Sequence, residues 1–308
     1  MLRLLTYNVK HMPWIARLVP HAGSPINAFE RARQAAWLNH VVGVSGLAPP
    51  WDILCLQELF DNGRQAQALR ALRPSWYHPN PVVGYPHAVC DIGGDWRSNS
   101  GLFVASRSRM DSHSFASFSD ACGTDRLAEK GVVCTVLNTK PLLGTKLVLF
   151  STHMQSDDAH ASIRWSQLNE MKAFIAARLQ AIPHSEHYAV VVCGDINVTA
   201  DKQGDIANPT QEYDALMALF AGSRDLFRRA HPASTGHTWH RDNSRVPRNE
   251  RSRRLDYILA IDQMQINGTL RKFRRLHAVS IAVQRFRHTL LGDLSDHYGL
   301  GAELVLAE

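Results

Sequence analysis

Carboxylate, amide and imidazole side chains follow a series of short apolar segments in this sequence, and the sharpest case is 190–197. There, Asp195 and Asn197 come after an apolar run and Gly194. Residues two apart on an extended chain point to the same side, so both side chains would face one site. The glycine lets the backbone turn or approach a neighbour closely. The segment therefore predicts a carboxylate and an amide held together at a strand end.

The same arrangement recurs along the chain. An apolar run ends at Glu58, whose carboxylate is costly to bury unless it is paired or holds a cation. Other polar residues beside such runs are Asn8, His153, Asp256, Asp296 and His297. Taken alone, an asparagine there is typically a turn residue, and a single histidine is more often a satisfied core residue. Their recurrence at strand ends indicates one shared site, because a rigid scaffold presents such side chains along a common edge.

Short apolar runs rich in β-branched residues predict the strands that would position these side chains. The predicted strands are 3–9, 53–57, 101–106, 132–137, 146–152, 190–193, 255–261 and 299–306. Apolar residues at intervals of three to four predict one helix from Phe29 to Val44 and another from Ile163 to Leu179. Because the helices fall between groups of strands, the pattern favours two packed sheets flanked by helices over a simple parallel βαβ array.

The composition is that of an ordinary globular protein, with 45% hydrophobic and 20% charged residues in a chain of 308. No Gly/Ser-rich or Pro-rich linker and no internal repeat divides it, so we predict a single domain over 1–308. No window of about twenty apolar residues exists, which argues against a spanning helix. The cysteines show no CxxC spacing, which argues against a zinc site.

The charge of the chain favours an anionic partner or surface, since the net value is +6. The stretch 263–292 contains no acidic residue. Its basic residues are Arg271, Lys272, Arg274, Arg275, Arg285 and Arg287. A solvated face and a binding surface explain this stretch equally well.

The N-terminal segment has neither the basic region nor the small-residue cleavage site of a secretory leader. If Met1 is native, we expect a protein that is cytoplasmic or peripheral to a membrane. If a leader was removed, we expect a secreted protein.

Together and in this order, the motifs YNV, QE, THxQ, GDxN, LDY and SDH resemble those of the endonuclease/exonuclease/phosphatase superfamily, over essentially the whole chain. The resemblance implies a DNase-I-like fold, which is a four-layer α/β sandwich of two mixed β-sheets flanked by helices. It also implies hydrolysis of a phosphodiester with a divalent cation. We expect that cation to be Mg²⁺, for which Mn²⁺ or Co²⁺ could substitute.

Within the superfamily, the chain is most similar to neutral sphingomyelinases of the phospholipase C type. It carries QELFD at 57–61, THMQS at 152–156 and DRLAEKGV at 125–132, which resemble segments of that group. This resemblance implies a sphingomyelinase C that releases phosphocholine and ceramide. Its partners would be a phosphodiester lipid, expected to be sphingomyelin, and a peripheral membrane surface, with no obligate protein partner evident.

The resemblance also distributes roles over the recurring polar residues. Glu58 would anchor the metal, with the Asn8 amide oxygen as a second ligand or as a contact to a metal-bound water. His297 would be the general base, because a neutral imidazole accepts a proton near neutral pH. Asp256 would hold that imidazole in one tautomer.

The remaining positions would bind water and substrate. Asp195 and Asn197 would position the attacking water, and His153 would donate to a phosphoryl oxygen or to the leaving group. Asp296 would tune the base or contact a second metal. Lys130 is a candidate contact to the substrate phosphate, with a surface charge as its plainer explanation.

Two other enzyme classes share the same core motifs and stay open as alternatives, a deoxyribonuclease-like endonuclease and an inositol-polyphosphate phosphatase. The basic charge would suit nucleic acid as a partner. Against a nuclease, Lys10 stands where abasic-site endonucleases carry an aspartate beside the metal, and the segment 125–132 favours the lipid enzymes. A non-catalytic binding protein is disfavoured because no position of the catalytic motifs has been lost.

Overall fold

The structure is a computed structural model that describes residues 1–11, 24–42, 50–60, 68, 87–90, 99–183 and 187–307, with only the backbone for 24–28. Its strands are β1 (Leu2–His11), β2 (Ile53–Leu59), β3 (His87–Cys90), β4 (Phe103–Ser106), β5 (Met110–Ser117), β6 (Gly131–Leu137), β7 (Lys146–His153), β8 (Tyr188–Asp195), β9 (Asp201–Lys202), β10 (Asp205–Pro209), β11 (Ser223–Asp225), β12 (Asp256–Ile261), β13 (Gln263–Ile266), β14 (Thr269–Lys272), β15 (Leu276–Gln284), β16 (Arg287–His288), β17 (Gly292–Asp293) and β18 (Gly299–Leu306). Its helices are α1 (Ser24–Val42), α2 (Lys140–Leu143), α3 (Ala161–Ala181), α4 (Gln211–Leu219) and α5 (Leu226–Ala230), with 3₁₀ turns at Gly123–Leu127 and Asp158–His160.

Two six-stranded sheets form the centre of the fold, in the orders β15-β18-β1-β2-β4-β3 and β11-β12-β8-β7-β6-β5. In the first sheet β1 and β2 are parallel, and in the second β7 and β8 are parallel. Their other neighbours are antiparallel, so both sheets are mixed. The prediction of two mixed sheets flanked by helices is confirmed.

Successive residues of the central strands alternate between two apolar layers. In β1, Leu4 packs between the two sheets, whereas Leu5 and Tyr7 pack with Trp37 of α1. In the second sheet, the outer faces of β7 and β8 pack against α3. The central strands are thus buried on both faces, which is why their sequences are continuous apolar runs rather than alternating patterns.

The predicted strands are all present, with ends that shift by a few residues. The two predicted helices are α1 and α3, although Val44, the last residue of the first prediction, lies outside the described residues. So does Asp61, the last residue of the QELFD segment. Of the strands in the two large sheets, β3, β5, β11 and β15 were not predicted; all four lie at sheet edges and keep some residues partly or fully exposed. Such strands lack the continuous apolar run that marked the others.

Within the described part of the chain, no helix is both long and apolar enough to cross a membrane. The organisation as a single domain over 1–308 stays a prediction.

Candidate active site

The ends of β1, β2, β7 and β8 and the start of β12 meet at one edge of the sandwich. His153 at the end of β7 pairs with Asp195 at the end of the parallel β8, and Asp256, the first residue of the antiparallel β12, pairs with Asp195 from the other side. Asn8 of the first sheet reaches across, donating from Nδ2 to Asp195 Oδ2 at 3.0 Å. Side chains of both sheets therefore line one cavity of about 550 Å³.

Glu58, Asp195 and His153 form a compact group of potential metal ligands, with ligand atoms within 4.8 Å of one another. Glu58 adopts a left-handed backbone with a φ of 58°. For a non-glycine residue this conformation is strained, and such strain is concentrated at functional sites. The two carboxylates supply the hard oxygen donors that Mg²⁺ prefers, so the group fits a divalent cation of that type.

Asn8 turns its amide nitrogen, rather than its oxygen, toward this group. Its Nδ2 donates to Glu58 Oε1 at 2.8 Å as well as to Asp195. Its Oδ1 accepts a hydrogen bond from the backbone N–H of Lys10 at 3.0 Å. Asn8 therefore holds the two carboxylates in position. Its oxygen keeps a second lone pair, and its role beside a metal stays a prediction.

Burial raises the pKa of both carboxyl groups of the cluster. For Glu58, the effect of burial is increased by the charge of Asp296 and opposed by the hydrogen bond from Asn8. For Asp195, burial is the largest cause, and the pKa rises to about 7 although the charge of His297 opposes it. When carboxyl groups are crowded in this way, a cation placed between them strongly stabilises their ionised form.

His297 lies against two aspartates. Its Nδ1 is 2.8 Å from Asp256 Oδ2, and its Nε2 is 3.6 Å from Asp195 Oδ2. Burial alone lowers the pKa of His297, but the charges of Asp256 and Asp195 and the hydrogen bond to Asp256 raise it to about 10. The raised pKa favours the protonated ring more strongly than the sequence alone suggested, and the role of His297 as general base stays a prediction. The surplus of carboxylates around the ring, assembled only by folding, accounts for the difference.

His153 is paired with a cation. Lys130 Nζ donates to His153 Nε2 at 3.1 Å, to Met154 O at 2.8 Å and to Asp125 Oδ2 at 2.9 Å. Burial, and then the charge of Lys130, hold the pKa of His153 well below its usual value, so the ring is neutral. Lys130 is only 3% exposed, so its explanation as a surface charge is wrong. The ammonium tolerates burial because these three groups satisfy it.

The loop after β8 is fixed by its own hydrogen bonds. The backbone N–H of Asn197 donates to Asp195 Oδ1 at 3.0 Å, and Asn197 Nδ2 donates to Met154 O at 3.0 Å. Gly194 has a φ of 137°, and a Cβ there would lie 2.0 Å from Thr152 O. The sequence suggested that Gly194 allows a close backbone approach. The close approach between β8 and β7 requires a glycine at this position.

Lys10, Asp296 and Trp239 also line the cavity. Lys10 Nζ forms an ion pair with Asp296 Oδ2. The indole of Trp239 packs edge-on against His297, with ring centroids 5.3 Å apart. Sequence reasoning missed Trp239 because it follows no apolar run and is held by isolated bridges to Arg253 and His297.

The basic stretch 263–292 does not form one face. The backbone N–H of Arg274 donates to the carbonyl of Tyr188 at the start of β8, whereas the cavity lies at the other end of that strand. With eight residues in β8, the two ends are roughly 23 Å apart. Arg287 instead lies in the β16–β17 hairpin, just after Arg285, and this hairpin leads into the cavity-lining segment. A single binding surface over the whole stretch is therefore wrong.

Comparison with known proteins agrees with this site. The sequence profile of the Endonuclease/Exonuclease/phosphatase family matches residues 5–297. Sphingomyelinase C of Bacillus cereus is 25% identical over 282 residues, which cover 84% of this chain and 74% of that protein. Sphingomyelin phosphodiesterase 5 of Danio rerio is 31% identical over 164 residues, which cover 50% of this chain but only 30% of that protein.

Among solved structures, SmcL superposes with a TM-score of 0.68 and 20% sequence identity. The superposition covers 98% of each chain. At this identity the likeness concerns the fold, and it extends from one end of the chain to the other.

Proposed function

The chain belongs to the endonuclease/exonuclease/phosphatase family, and on that premise we propose that it is a Mg²⁺-dependent phosphodiesterase that hydrolyses sphingomyelin to phosphocholine and ceramide. The observation that carries the proposal is the meeting of Glu58 with Asp195, and of His297 with Asp256, at one cavity edge. Hydrolysis of a phosphodiester needs both a charge-neutralising group and a proton acceptor. The choice of lipid rests on the likeness to the sphingomyelinase C of Bacillus cereus, which extends over 84% of the chain.

Glu58 and Asp195 would hold the cation, which when bound would offset their charge and that on the phosphoryl oxygens. Asn8 keeps both carboxylates oriented through its two hydrogen bonds, so that little reorganisation is needed. His153 lies 3.8 Å from Glu58 and 3.7 Å from Asp195, which makes it a neutral neighbour of the same group.

His297 would accept a proton from the attacking water. Its pKa of about 10 is maintained by surrounding carboxylates, so offsetting the charge of Asp195 lowers the pKa toward the range in which imidazole is a base. Asp256 is hydrogen-bonded to Nδ1 of His297, so Nε2 is the atom that would take the proton. The carboxylate of Asp256 would then stabilise the resulting imidazolium. Asp195, 3.6 Å from that Nε2, would orient the water.

Lys130 and His153 would meet the phosphoryl group from the other side of the cavity. Because His153 Nε2 accepts from Lys130, the positive charge of the pair resides on Lys130. We assign to this pair the contact with a phosphoryl or leaving-group oxygen, for which Lys130 would exchange one of its three hydrogen bonds. Asn197 supports the pair indirectly, since it shares the Met154 carbonyl with Lys130.

The lipid surface would lie at the β16–β17 hairpin. Leu290 at the tip of this hairpin is 88% exposed, the largest value among the exposed apolar residues of the described chain. Arg287 on the same hairpin supplies a cation for anionic lipid, worth about 1 kcal/mol near such a surface. Phe286 does not take part, because its ring packs on Tyr7 at a centroid distance of 4.9 Å.

A substrate panel tests the proposal. The protein would be assayed with Mg²⁺ on sphingomyelin vesicles, phosphatidylcholine vesicles, plasmid DNA and an inositol polyphosphate. We expect release of phosphocholine from sphingomyelin, its loss in EDTA and in Glu58→Gln, and normal activity in Glu303→Gln, which changes an acid of β18 outside the cavity. Nicking of plasmid without release of phosphocholine would replace the lipid with the nucleic-acid alternative. Full activity after exhaustive chelation would refute the metal requirement.

A further inference from the structure

We propose that the ammonium of Lys10 is a permanent cation of the active site. It forms an ion pair with the carboxylate of Asp296, limits the site to one divalent cation and contacts the substrate phosphate. The inference rests on the proposed function and deepens it, because it states how charge at the reacting group is neutralised. Lys10 would take the place that a second metal ion would otherwise occupy.

The backbone of Lys10 is clamped in a conformation that a lysine rarely adopts. Its φ is 48°, in the left-handed region. The backbone N–H donates to Asn8 Oδ1 at 3.0 Å, and the carbonyl accepts from Arg33 Nη2 at 2.6 Å. Arg33 is buried and also donates to Val9 O at 2.7 Å. A conformation that costs energy and is held from both sides indicates a required side-chain direction.

That direction brings the ammonium to the cavity wall. Lys10 Nζ pairs with Asp296 Oδ2 and lies 6.0 Å from the ring centroid of Trp239. The Lys10 side chain is 37% exposed, so the ammonium can still be reached, whereas the Asp296 side chain is 6% exposed. The carboxylate is therefore buried behind the amine that neutralises it.

Asp296 is the residue for which the sequence analysis expected a contact to a second metal or a role in tuning the base. Its Oδ1 accepts a hydrogen bond from Ser295 Oγ at 3.2 Å, and its Oδ2 is taken by Lys10. Within the described residues, the potential metal-ligand groups are Glu58 with His153 and Asp195, and Asp195 with Asp256 and His297. Asp296 belongs to neither, although its charge acts on Glu58. The pairing with Lys10 thus removes it from metal binding.

The charge balance suits a substrate with a single phosphodiester charge. Lys10 closes one side of the cavity, and Lys130 lies on another wall beside His153. With one divalent cation at Glu58, a phosphodiester monoanion would meet positive charge from three directions. A second divalent cation next to these two ammonium groups would be repelled.

Titration calorimetry with Mg²⁺ alone tests the stoichiometry without any substrate. We expect one Mg²⁺ per wild-type chain, two in Lys10→Met, and one again in Lys10→Met/Asp296→Asn. Lys140→Met, at an exposed position on α2, is the matched control and should bind one. Circular dichroism verifies folding, and Lys10→Gln provides a second variant. Two sites in the wild-type chain, or one site in both Lys10 variants, would overturn the inference.

Turnover tests the phosphate contact. Removing one preorganised donor to a developing charge typically costs about 10²-fold in kcat, so we expect a loss of that order in Lys10→Met at a Mg²⁺ concentration that fills only the first site. Lys10→Arg should restore most of it, because the charge returns. An unchanged kcat in Lys10→Met would refute the contact. If sphingomyelin proves not to be a substrate, the Mg²⁺ stoichiometry still decides the role of Lys10, so the two failures are distinguishable.

Discussion

Replacing His297 by Ala, Asp256 by Asn, and both together separates the catalytic coupling of this pair from its effect on stability. The two side chains are in direct contact, with His297 Nδ1 2.8 Å from Asp256 Oδ2. Asp256 is completely buried, and its Oδ1 has no partner among the described residues. In the part of the chain that the structure describes, His297 is therefore the one cation within hydrogen-bonding distance of the Asp256 carboxylate.

The structure sets the size of the expected effects. Two unit charges about 4 Å apart interact by about 4 kcal/mol at an effective dielectric constant of about 20. Asp256→Asn should therefore lower the pKa of His297 from about 10 toward the ordinary value of 6.5. For kcat, loss of a general base costs about 10²- to 10⁴-fold, and we expect this range for His297→Ala. Adding Asp256→Asn should cost little more, because residues that act as a unit are non-additive.

Stability should respond in the opposite sense. His297→Ala leaves the buried carboxylate of Asp256 without its cation, which typically costs about 3–5 kcal/mol. Asp256→Asn then removes the unpaired charge, so the double variant should be more stable than His297→Ala. The two variants would thus be alike in activity and different in the free energy of unfolding.

Three measurements check this reasoning. Phosphocholine release gives kcat, urea unfolding gives the free energy, and NMR titration of the imidazole C–H signals gives the pKa. Losses of kcat that multiply in the double variant would refute the functional pairing. A double variant less stable than His297→Ala would show that the charge of Asp256 is satisfied by other groups.

Three further predictions concern the metal, the acid limit of stability and the membrane. Glu58→Gln should weaken Mg²⁺ binding in calorimetry by more than about tenfold without unfolding the chain, and unchanged affinity would exclude Glu58 as a ligand. Burial raises the pKa of Glu30, but hydrogen bonds with His11 and Arg33 and their charges lower it to about 2, below the ordinary 4.5. This carboxylate therefore stabilises the fold above pH 4.5 by at most about 3 kcal/mol, and the contribution is lost as the pH falls toward 2. In Glu30→Gln, the free energy of unfolding in urea should change less over that pH interval than in the wild-type chain. Leu290→Ser should weaken sedimentation with sphingomyelin vesicles at unchanged circular dichroism, and undiminished binding would move the lipid surface elsewhere.

The central strands and the polar residues at their ends could be predicted from the amino-acid sequence. Strands buried on both faces need continuous apolar runs, so 146–152 and 190–193 were recognisable without any tertiary information. The close backbone approach at Gly194 was also predicted. The structure explains it, because only a glycine tolerates a backbone oxygen 2.0 Å from the position of a Cβ. Edge strands such as β15 were missed, since a strand with one exposed face carries a weaker apolar pattern.

The charge and the orientation of these polar residues depend instead on the folded chain. Burial acts to lower the pKa of His297, but two aspartates from other segments raise it, whereas burial and the charge of Lys130 both lower the pKa of His153. The Asn8 amide faces Glu58 with its nitrogen, since the Lys10 backbone already occupies its oxygen. Each of these properties depends on distance and burial between residues far apart along the chain. Electrostatic energies change steeply with both, and the order of residues specifies neither.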